Sequence, residues 1–172
     1  MSNLSVFLVG PMGAGKTTIG RILAEILGLE FKDSDKVIED RSGADIPWIF
    51  DIEGEEGFRN RETGVLQELA LESNLVLATG GGIVVREENR LCLRQAGTVV
   101  YLTADIDQLV ERTYRDKKRP LLQVDEPEQK IRELIDVREP LYQEVADFTV
   151  KTDGRGPRTV ALEIARLLQD SH

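Results

Sequence analysis

The sequence predicts an α/β protein built around one mostly parallel, five-stranded sheet. Three observations support this fold class. The chain has 172 residues, which suits a single domain with one sizeable core. Short apolar runs alternate with longer amphipathic stretches, and neither an internal repeat nor a low-complexity segment interrupts them. We therefore expect one domain over residues 1–172, with one functional cleft.

The predicted strands are short and rich in apolar and β-branched residues. They span residues 6–9, 30–32, 75–78, 99–102 and 148–151. A helical pattern follows each of the first four strands before the next begins. The connections are therefore predicted to be right-handed βα crossovers, which make neighbouring strands parallel.

The predicted helices show apolar residues at helical spacing. They span residues 16–27, 35–41, 55–72, 86–95, 105–115, 128–145 and 158–168. Gly28 and Gly97 are placed to end two of them, and Asp105 is placed to cap another. The stretch 116–127, with the sequence DKKRPLLQVDEP, is charged, contains two prolines and is predicted to be a mobile surface loop.

Composition limits the partners. The chain has 22 Lys and Arg against 31 Asp and Glu, a formal net charge of −9, which disfavours nucleic acid and anionic membranes. It offers no run of eighteen apolar residues and no signal-peptide pattern, so a cytoplasmic protein is expected. We also expect a monomer. The single cysteine, Cys92, lies in an apolar run and is interpreted as a small buried residue.

The strongest motif is GPMGAGKT at residues 10–17, which follows an apolar strand and opens a helix. This is the G-x-x-x-x-G-K-[ST] pattern of a phosphate-binding loop. Its glycines let backbone N–H groups point at phosphate oxygens, Lys16 reaches the β and γ oxygens, and Thr17 offers a hydroxyl to Mg²⁺. A turn used only for packing is the alternative, but the complete motif in this context favours a nucleotide site.

Two carboxylates follow the second predicted strand, at Asp33 and Asp35. In an extended segment they would lie on the same side, near the sheet edge that binds phosphates. One could hold a water of the Mg²⁺ shell, and the other could bind an acceptor hydroxyl and take its proton. The alternative is that Asp33 or Ser34 caps the next helix.

Two further segments could approach a ligand. Thr79-Gly80-Gly81-Gly82 closes the third predicted strand, where three glycines would let backbone N–H groups come very close to a bound molecule. Arg119 lies beside a proline in the predicted loop and could neutralise γ-phosphate charge. A flexible turn and a charged loop tip are the respective alternatives. Arg59 and Arg138 lie in helical patterns, where an arginine is ordinarily a solvated residue or half of an i,i+4 pair with Glu.

Taken together, these motifs resemble the shikimate kinases of the nucleoside-monophosphate-kinase-like P-loop group. The resemblance is carried by GPMGAGKT at 10–17, FKDSD at 31–35, EEGFRNRE at 55–62, TGGG at 79–82, KRPLL at 118–122 and REPLY at 138–142. It implies a three-layer P-loop kinase fold with strand order 2-3-1-4-5. It also implies a substrate-binding region at about 33–62, a lid at about 112–127, and transfer of the γ-phosphoryl of MgATP to the 3-hydroxyl of shikimate.

The resemblance also implies roles for individual residues. Asp35 would bind shikimate and act as base, Thr17 would bind Mg²⁺ directly, and Asp33 would reach the metal through water. Shikimate would be bound by Asp35, Arg59, Gly80, Gly81, Gly82 and Arg138. ATP would be bound by Gly13, Ala14, Gly15, Lys16, Thr17, Thr18, Arg112, Arg119, Arg155 and Pro157, with Lys16 and Arg119 also acting in catalysis.

Three other functions are compatible with a phosphate-binding loop. A gluconate kinase would share the loop and the acidic pair, whereas Arg59, TGGG and RPLL favour shikimate. A GTPase-like switch would use a D-x-x-G motif, which residues 51–54 match, but the chain has no N-K-x-D motif for guanine. A catalytically silent nucleotide-binding module would not need Lys16, Asp35 and Arg119 together.

Overall fold

The computed structural model describes residues 4–114 and 127–171. Its five strands form one sheet in the order β2-β3-β1-β4-β5, with every neighbouring pair parallel. The strands are β1 (Ser5–Val9), β2 (Glu30–Asp33), β3 (Leu75–Ala78), β4 (Thr98–Thr103) and β5 (Phe148–Lys151). The predicted fold class, strand count and order are therefore confirmed, with strand ends shifted by at most one residue.

Helices cover both faces of this sheet. Within the described residues they are α1 (Lys16–Leu27), α2 (Ser34–Ser42), α3 (Ile46–Leu69), α4 (Glu87–Ala96), α5 (Ile106–Tyr114), α6 (Pro127–Val145) and α7 (Pro157–Asp170). Alternate residues of β1 enter different cores. Phe7 and Val9 pack with residues of α2, α3, α4 and α6, whereas Val6 and Leu8 pack with residues of α1, α5 and α7. The protein thus has three layers.

Helix α3 begins well before its predicted start at residue 55. Asp45 caps it by accepting from the N–H of Trp48 at 3.0 Å, and Pro47 occupies its first turn. Gly54, with a φ of 74°, interrupts the helical backbone and bends the element. The predicted helix over 55–72 does not include the segment before this bend. The GTPase-like tetrapeptide 51–54 lies in that helix and does not follow a strand.

The register of the sheet brings three functional segments to one edge. Ala78 of β3 is level with both Leu8 of β1 and Asp33 of β2. Thr79 then donates its hydroxyl hydrogen to the Leu8 carbonyl at 2.8 Å. Three segments leave the sheet at this level: the phosphate-binding loop, the acidic pair, and the glycine turn of residues 79–82. They lie together because the carboxyl ends of parallel strands meet at one edge of a sheet.

Residues 116–126 of the predicted loop, with Arg119, lie outside the described residues. Elsewhere in the chain, no described helix combines the length and the apolarity that crossing a membrane requires.

Candidate active site

The phosphate-binding loop joins β1 to α1 with backbone that only glycine tolerates well. Gly10, Gly13 and Gly15 have φ values of 148°, 82° and 94°. A methyl carbon added to Gly10 would lie 2.2 Å from the carbonyl oxygen of Leu102 on β4, so even alanine would displace one of the two strands. The loop therefore passes close to the sheet edge and presents its backbone to the space above it.

The predicted ATP-binding residues of this loop come together at the start of α1. Residues 13–18 form one continuous turn into the helix, whose first N–H groups have no intrahelical acceptor. Lys16 donates to the carbonyl oxygens of Gly10 and Pro11, the latter at 3.0 Å. Thr17 and Thr18 are exposed. A helix start with a cation beside it is suited to binding an anion.

Asp33 links α1 to α2. Its Oδ2 accepts from the Thr17 hydroxyl at 2.8 Å, and its Oδ1 accepts from the N–H of Asp35 at 2.9 Å as the cap of α2. Capping and ligand binding, the two interpretations of this residue, are thus compatible, because different oxygens serve them. The adjoining hydroxyl and carboxylate oxygens are the donor type that Mg²⁺ prefers, so the residues present fit this metal.

Asp35 reaches the site from a helix. The expectation that Asp33 and Asp35 share one side of an extended segment is wrong, because Ser34 already begins α2. Asp35 occupies the first helical turn, and its Oδ1 lies 2.7 Å from the position that a methyl carbon on Gly80 would occupy. The carboxyl group therefore lies against the glycine turn that follows β3.

Arg59 and Arg138, two of the predicted shikimate-binding residues, both lie beside the glycine turn. Both are buried, with relative exposures of 6% for Arg59 and 7% for Arg138. A methyl carbon on Gly82 would lie 2.4 Å from Nη1 and Nη2 of Arg59. One on Gly81 would lie 3.5 Å from Nη1 of Arg138 and 3.6 Å from the backbone nitrogen of Met12 in the phosphate-binding loop. The structure thus brings both arginines beside the glycine turn, although their helical patterns resemble solvated positions.

The glycine turn is held by hydrogen bonds at most of its polar groups. The Gly80 N–H donates to Ser34 Oγ at 3.3 Å, and the Gly80 carbonyl accepts from the Ile83 N–H at 3.1 Å. The Gly82 carbonyl accepts from the Val85 N–H at 3.1 Å. Across residues 4–114 and 127–171, no group accepts from the N–H of Gly81 or Gly82. Within the described part of the chain, these two buried backbone donors therefore have no acceptor.

Glu62 is a residue of this site to which the sequence analysis gave no role. It is fully buried, and its Oε1 accepts from Nη1 of Arg59 at 2.8 Å. Its Oε2 lies 3.1 Å from the methyl position on Gly80. Burial raises the pKa of Glu62, opposed by the positive charges of Arg59, Arg138 and Arg86. The three-residue spacing of Arg59 and Glu62, which places both on one helix face, was the available signal.

Arg86, which precedes α4, and Arg90 within α4 connect this part of the chain to the helices that carry Arg59 and Arg138. Arg86 donates to Glu56, Asn60 and Thr63 of α3 at 3.0, 2.9 and 3.3 Å. Arg90 donates to Glu144 of α6 at 2.8 Å and to the Val84 and Val85 carbonyls. Arg86 and Arg90 therefore fix α3 and α6 relative to one another. Neither arginine is among the predicted site residues.

A separate cleft of about 320 Å³ lies beyond the phosphate-binding loop. It is lined by Gln108, Glu111, Arg112, Gly154 and Arg155. Arg112 donates to the Gly13 carbonyl at 2.9 Å, which joins the cleft to the loop. Arg155 contacts Glu163 at 2.6 Å and the Lys151 carbonyl at 2.9 Å. The predicted adenine residues Arg112 and Arg155 thus share one cleft, and Pro157 begins α7 two residues later.

Comparison with known proteins identifies the family of the chain. A sequence model of the shikimate kinase family matches residues 12–169. A shikimate kinase of Vibrio vulnificus is 56% identical over 167 residues, covering 97% of each chain.

Solved structures give the same result. A shikimate kinase from Acinetobacter baumannii in complex with shikimate has a TM-score of 0.96 at 55% identity, covering 99% of this chain and 95% of its own. A gluconokinase from Sinorhizobium meliloti has a TM-score of 0.62 at 17% identity, covering 98% and 95%, which is a likeness of fold alone. On the family match and these identities, the chain belongs to the shikimate kinase family.

Proposed function

We propose that this protein transfers the γ-phosphoryl group of MgATP to the 3-hydroxyl of shikimate, giving shikimate 3-phosphate and ADP. One observation carries the assignment of the site. Gly81 lies next to both Met12 of the phosphate-binding loop and Arg138 of the arginine pair. A triphosphate on the loop and a carboxylate on the arginines would therefore face each other across the glycine turn.

The acceptor's carboxylate is bound by Arg59 and Arg138. Two buried guanidinium groups next to free N–H donors suit a planar anion, because each guanidinium can pair with a carboxylate through two hydrogen bonds. The N–H groups of Gly81 and Gly82 add two donors. With one end of the ring fixed in this way, its hydroxyl groups point towards Asp35 beside Gly80.

Asp35 binds the acceptor hydroxyl and takes its proton as that oxygen attacks the γ-phosphorus. The bond from the γ-phosphorus to the bridging oxygen breaks, and ADP departs. Lys16 supports the transfer by moving from the loop carbonyls to the β and γ oxygens, where it offsets the charge that develops.

Thr17 and Asp33 are proposed to hold Mg²⁺, Thr17 directly and Asp33 through water. When bound, Mg²⁺ neutralises charge on the β- and γ-phosphate oxygens. The hydrogen bond between the two side chains already places both oxygen donors at the helix start.

The nucleotide is bound by residues 13–18 and, at its adenine end, by Arg112, Arg155 and Pro157. Division of the domain into a substrate-binding region at about 33–62 and a lid at about 112–127 stays a prediction, as does a catalytic role for Arg119, which is outside the described residues. A monomeric state and a cytoplasmic location also stay predictions.

Substitution of Asp35 by asparagine tests the mechanism. Asp35→Asn should lower kcat by about 10² to 10⁴, the range typical of removing a general base. Asp40→Asn is the matched control, because Asp40 is an exposed residue of the same helix whose partner is Lys36. A near-normal kcat in Asp35→Asn would remove Asp35 from this role.

A panel of acceptors tests the substrate. ADP release would be measured with ATP and shikimate, gluconate, a nucleoside monophosphate or no acceptor. Shikimate should give the highest kcat/KM, and GTP should not replace ATP with equal efficiency. Faster turnover with gluconate would instead favour the alternative small-metabolite kinase.

A further inference from the structure

We propose that Tyr142 is a positioning residue for the acceptor substrate, because its hydroxyl fixes the peptide group that presents the Gly82 N–H to the bound carboxylate. This inference rests on the proposed function, since it concerns the same glycine turn. It concerns a residue that the mechanism above does not use.

The contact between Tyr142 and the turn is short and buried. The Tyr142 hydroxyl donates to the Gly81 carbonyl at 2.5 Å, and Tyr142 is fully buried. Burial raises the pKa of Tyr142 to about 12, against the opposing effect of Arg138, so the hydroxyl keeps its proton at neutral pH. No other described group donates to this carbonyl.

The position of the Gly82 N–H follows from this contact. The Gly81 carbonyl and the Gly82 N–H belong to one planar peptide group and point in opposite directions. Holding the carbonyl towards α6 therefore turns the N–H towards the opposite side, where it has no described acceptor. Donation to the carbonyl also polarises the peptide and strengthens its N–H as a donor. The hydrogen bond from the Ile83 N–H to the Gly80 carbonyl spans this peptide group without contacting it, and glycines at 81 and 82 place no side chain in the way of its rotation.

Helix α6 thus serves the acceptor in two ways. Arg138 and Tyr142 are four residues apart, which places them on one face of the helix. Arg138 supplies charge next to Gly81, and Tyr142 sets the orientation of the next peptide group. A shift of α6 would change both together.

Tyr101 provides a matched control. Its ring stacks on that of Tyr142 with centroids 5.0 Å apart, and it is also buried. Its hydroxyl donates to Glu139, which Gln143 also contacts at 3.0 Å, and it makes no described contact with the glycine turn. Tyr101→Phe and Tyr142→Phe therefore remove the same atom from neighbouring sites, and only one of those atoms touches Gly81.

The test compares steady-state kinetics of the two variants with the wild-type enzyme. Tyr142→Phe should raise the KM for shikimate about tenfold, with the KM for ATP changed less than about twofold. Tyr101→Phe should leave both KM values near normal. An unchanged shikimate KM in Tyr142→Phe, or an equal rise in both variants, would overturn the proposal.

A second measurement uses the wild-type protein and therefore does not depend on whether a variant folds. In ¹⁵N-labelled wild-type protein, the Gly82 amide proton should move downfield when shikimate binds, as a new hydrogen bond requires. An unmoved Gly82 amide at saturating shikimate would contradict the proposal even if turnover is normal. Failure of the wild-type protein to phosphorylate shikimate would instead refute the proposed function.

Discussion

Nη1 of Arg59 lies 2.8 Å from Oε1 of Glu62, and both residues are buried beside the glycine turn. The pair holds the guanidinium in place before any ligand arrives. It also places a carboxyl group where burial opposes its ionisation, which makes the pH dependence of stability a test of the arrangement.

Glu62→Gln should change how stability varies with pH. Because burial raises the pKa of Glu62 in the folded state, the unfolded chain releases this proton first as pH increases. The contribution of Glu62 is therefore complete below its ordinary pKa of 4.5 and is lost as pH rises through the folded-state value. Urea unfolding from about pH 4 to pH 8 should show the wild type losing free energy of unfolding relative to Glu62→Gln.

Glu53→Gln is the control, with the opposite sign. The hydrogen bond from Arg61 lowers the pKa of Glu53, so its contribution is present above the ordinary value and is lost as pH falls through the folded-state value. If the free energy of unfolding relative to wild type changed with pH in the same direction for both variants, the assignment for Glu62 would be contradicted.

Two substitutions of Asp33 should separate its capping of α2 from its proposed role at Mg²⁺. Asp33→Asn keeps a side chain that caps helices well but removes the negative charge near Mg²⁺. Asp33→Ala removes the cap and the charge together. The alanine variant should lose about 1 kcal/mol of stability, and the asparagine variant much less. Both should require about tenfold more Mg²⁺ for half-maximal activity, measured at fixed ATP. Normal Mg²⁺ dependence in both variants would limit Asp33 to capping.

Gly82→Ala should weaken acceptor binding through Arg59. The new methyl group would lie 2.4 Å from both terminal guanidinium nitrogens, so Arg59 would have to leave its position. The KM for shikimate should rise about tenfold or more, with a smaller change for ATP. Gly64→Ala is the control, because Gly64 lies on α3, the helix that carries Arg59. A methyl group there meets nothing within 4 Å and should stabilise the helix slightly. Normal shikimate KM in Gly82→Ala would show that this position of Arg59 is dispensable.

Arg86→Ala should affect both stability and acceptor binding, although Arg86 is not proposed to touch the ligand. Loss of its bonds to Glu56, Asn60 and Thr63 should cost about 1–2 kcal/mol and loosen the part of α3 that carries Arg59. Denaturant unfolding and the KM for shikimate would measure these effects. Arg94→Ala, which breaks only a 3.9 Å contact with Glu144, should change neither by much. Equal effects in both variants would count against this connection.

Local sequence patterns predicted the sheet well and the site less well. The strands were found because apolar, β-branched runs bounded by glycine are distinctive, and the phosphate-binding loop because its spacing is strict. Arg59 and Arg138 carry no such signal, since which face of α3 or α6 is buried depends on packing against other elements, α4 among them. Only the family resemblance indicated these two arginines. Glu62 was overlooked although its three-residue spacing from Arg59 places both residues on one helix face.

Helix boundaries explain the remaining differences. The start of α3 was missed because the apolar run around Trp48 lacks a clear helical period, although Asp45 and Pro47 are ordinary start signals. The helix predicted over 35–41 begins one residue earlier, at Ser34, because Asp33 caps it, so placing Asp33 and Asp35 on one side of an extended segment was wrong.

The bend at Gly54 has a practical consequence for spectroscopy. Trp48 is the single tryptophan of the chain, is 58% exposed, and lies in the part of α3 before the bend, whereas Arg59 lies after it. Its fluorescence therefore reports on the first part of the helix without any label. A change in emission on adding shikimate would show that ligand binding at Arg59 is transmitted across Gly54 to residues 46–53.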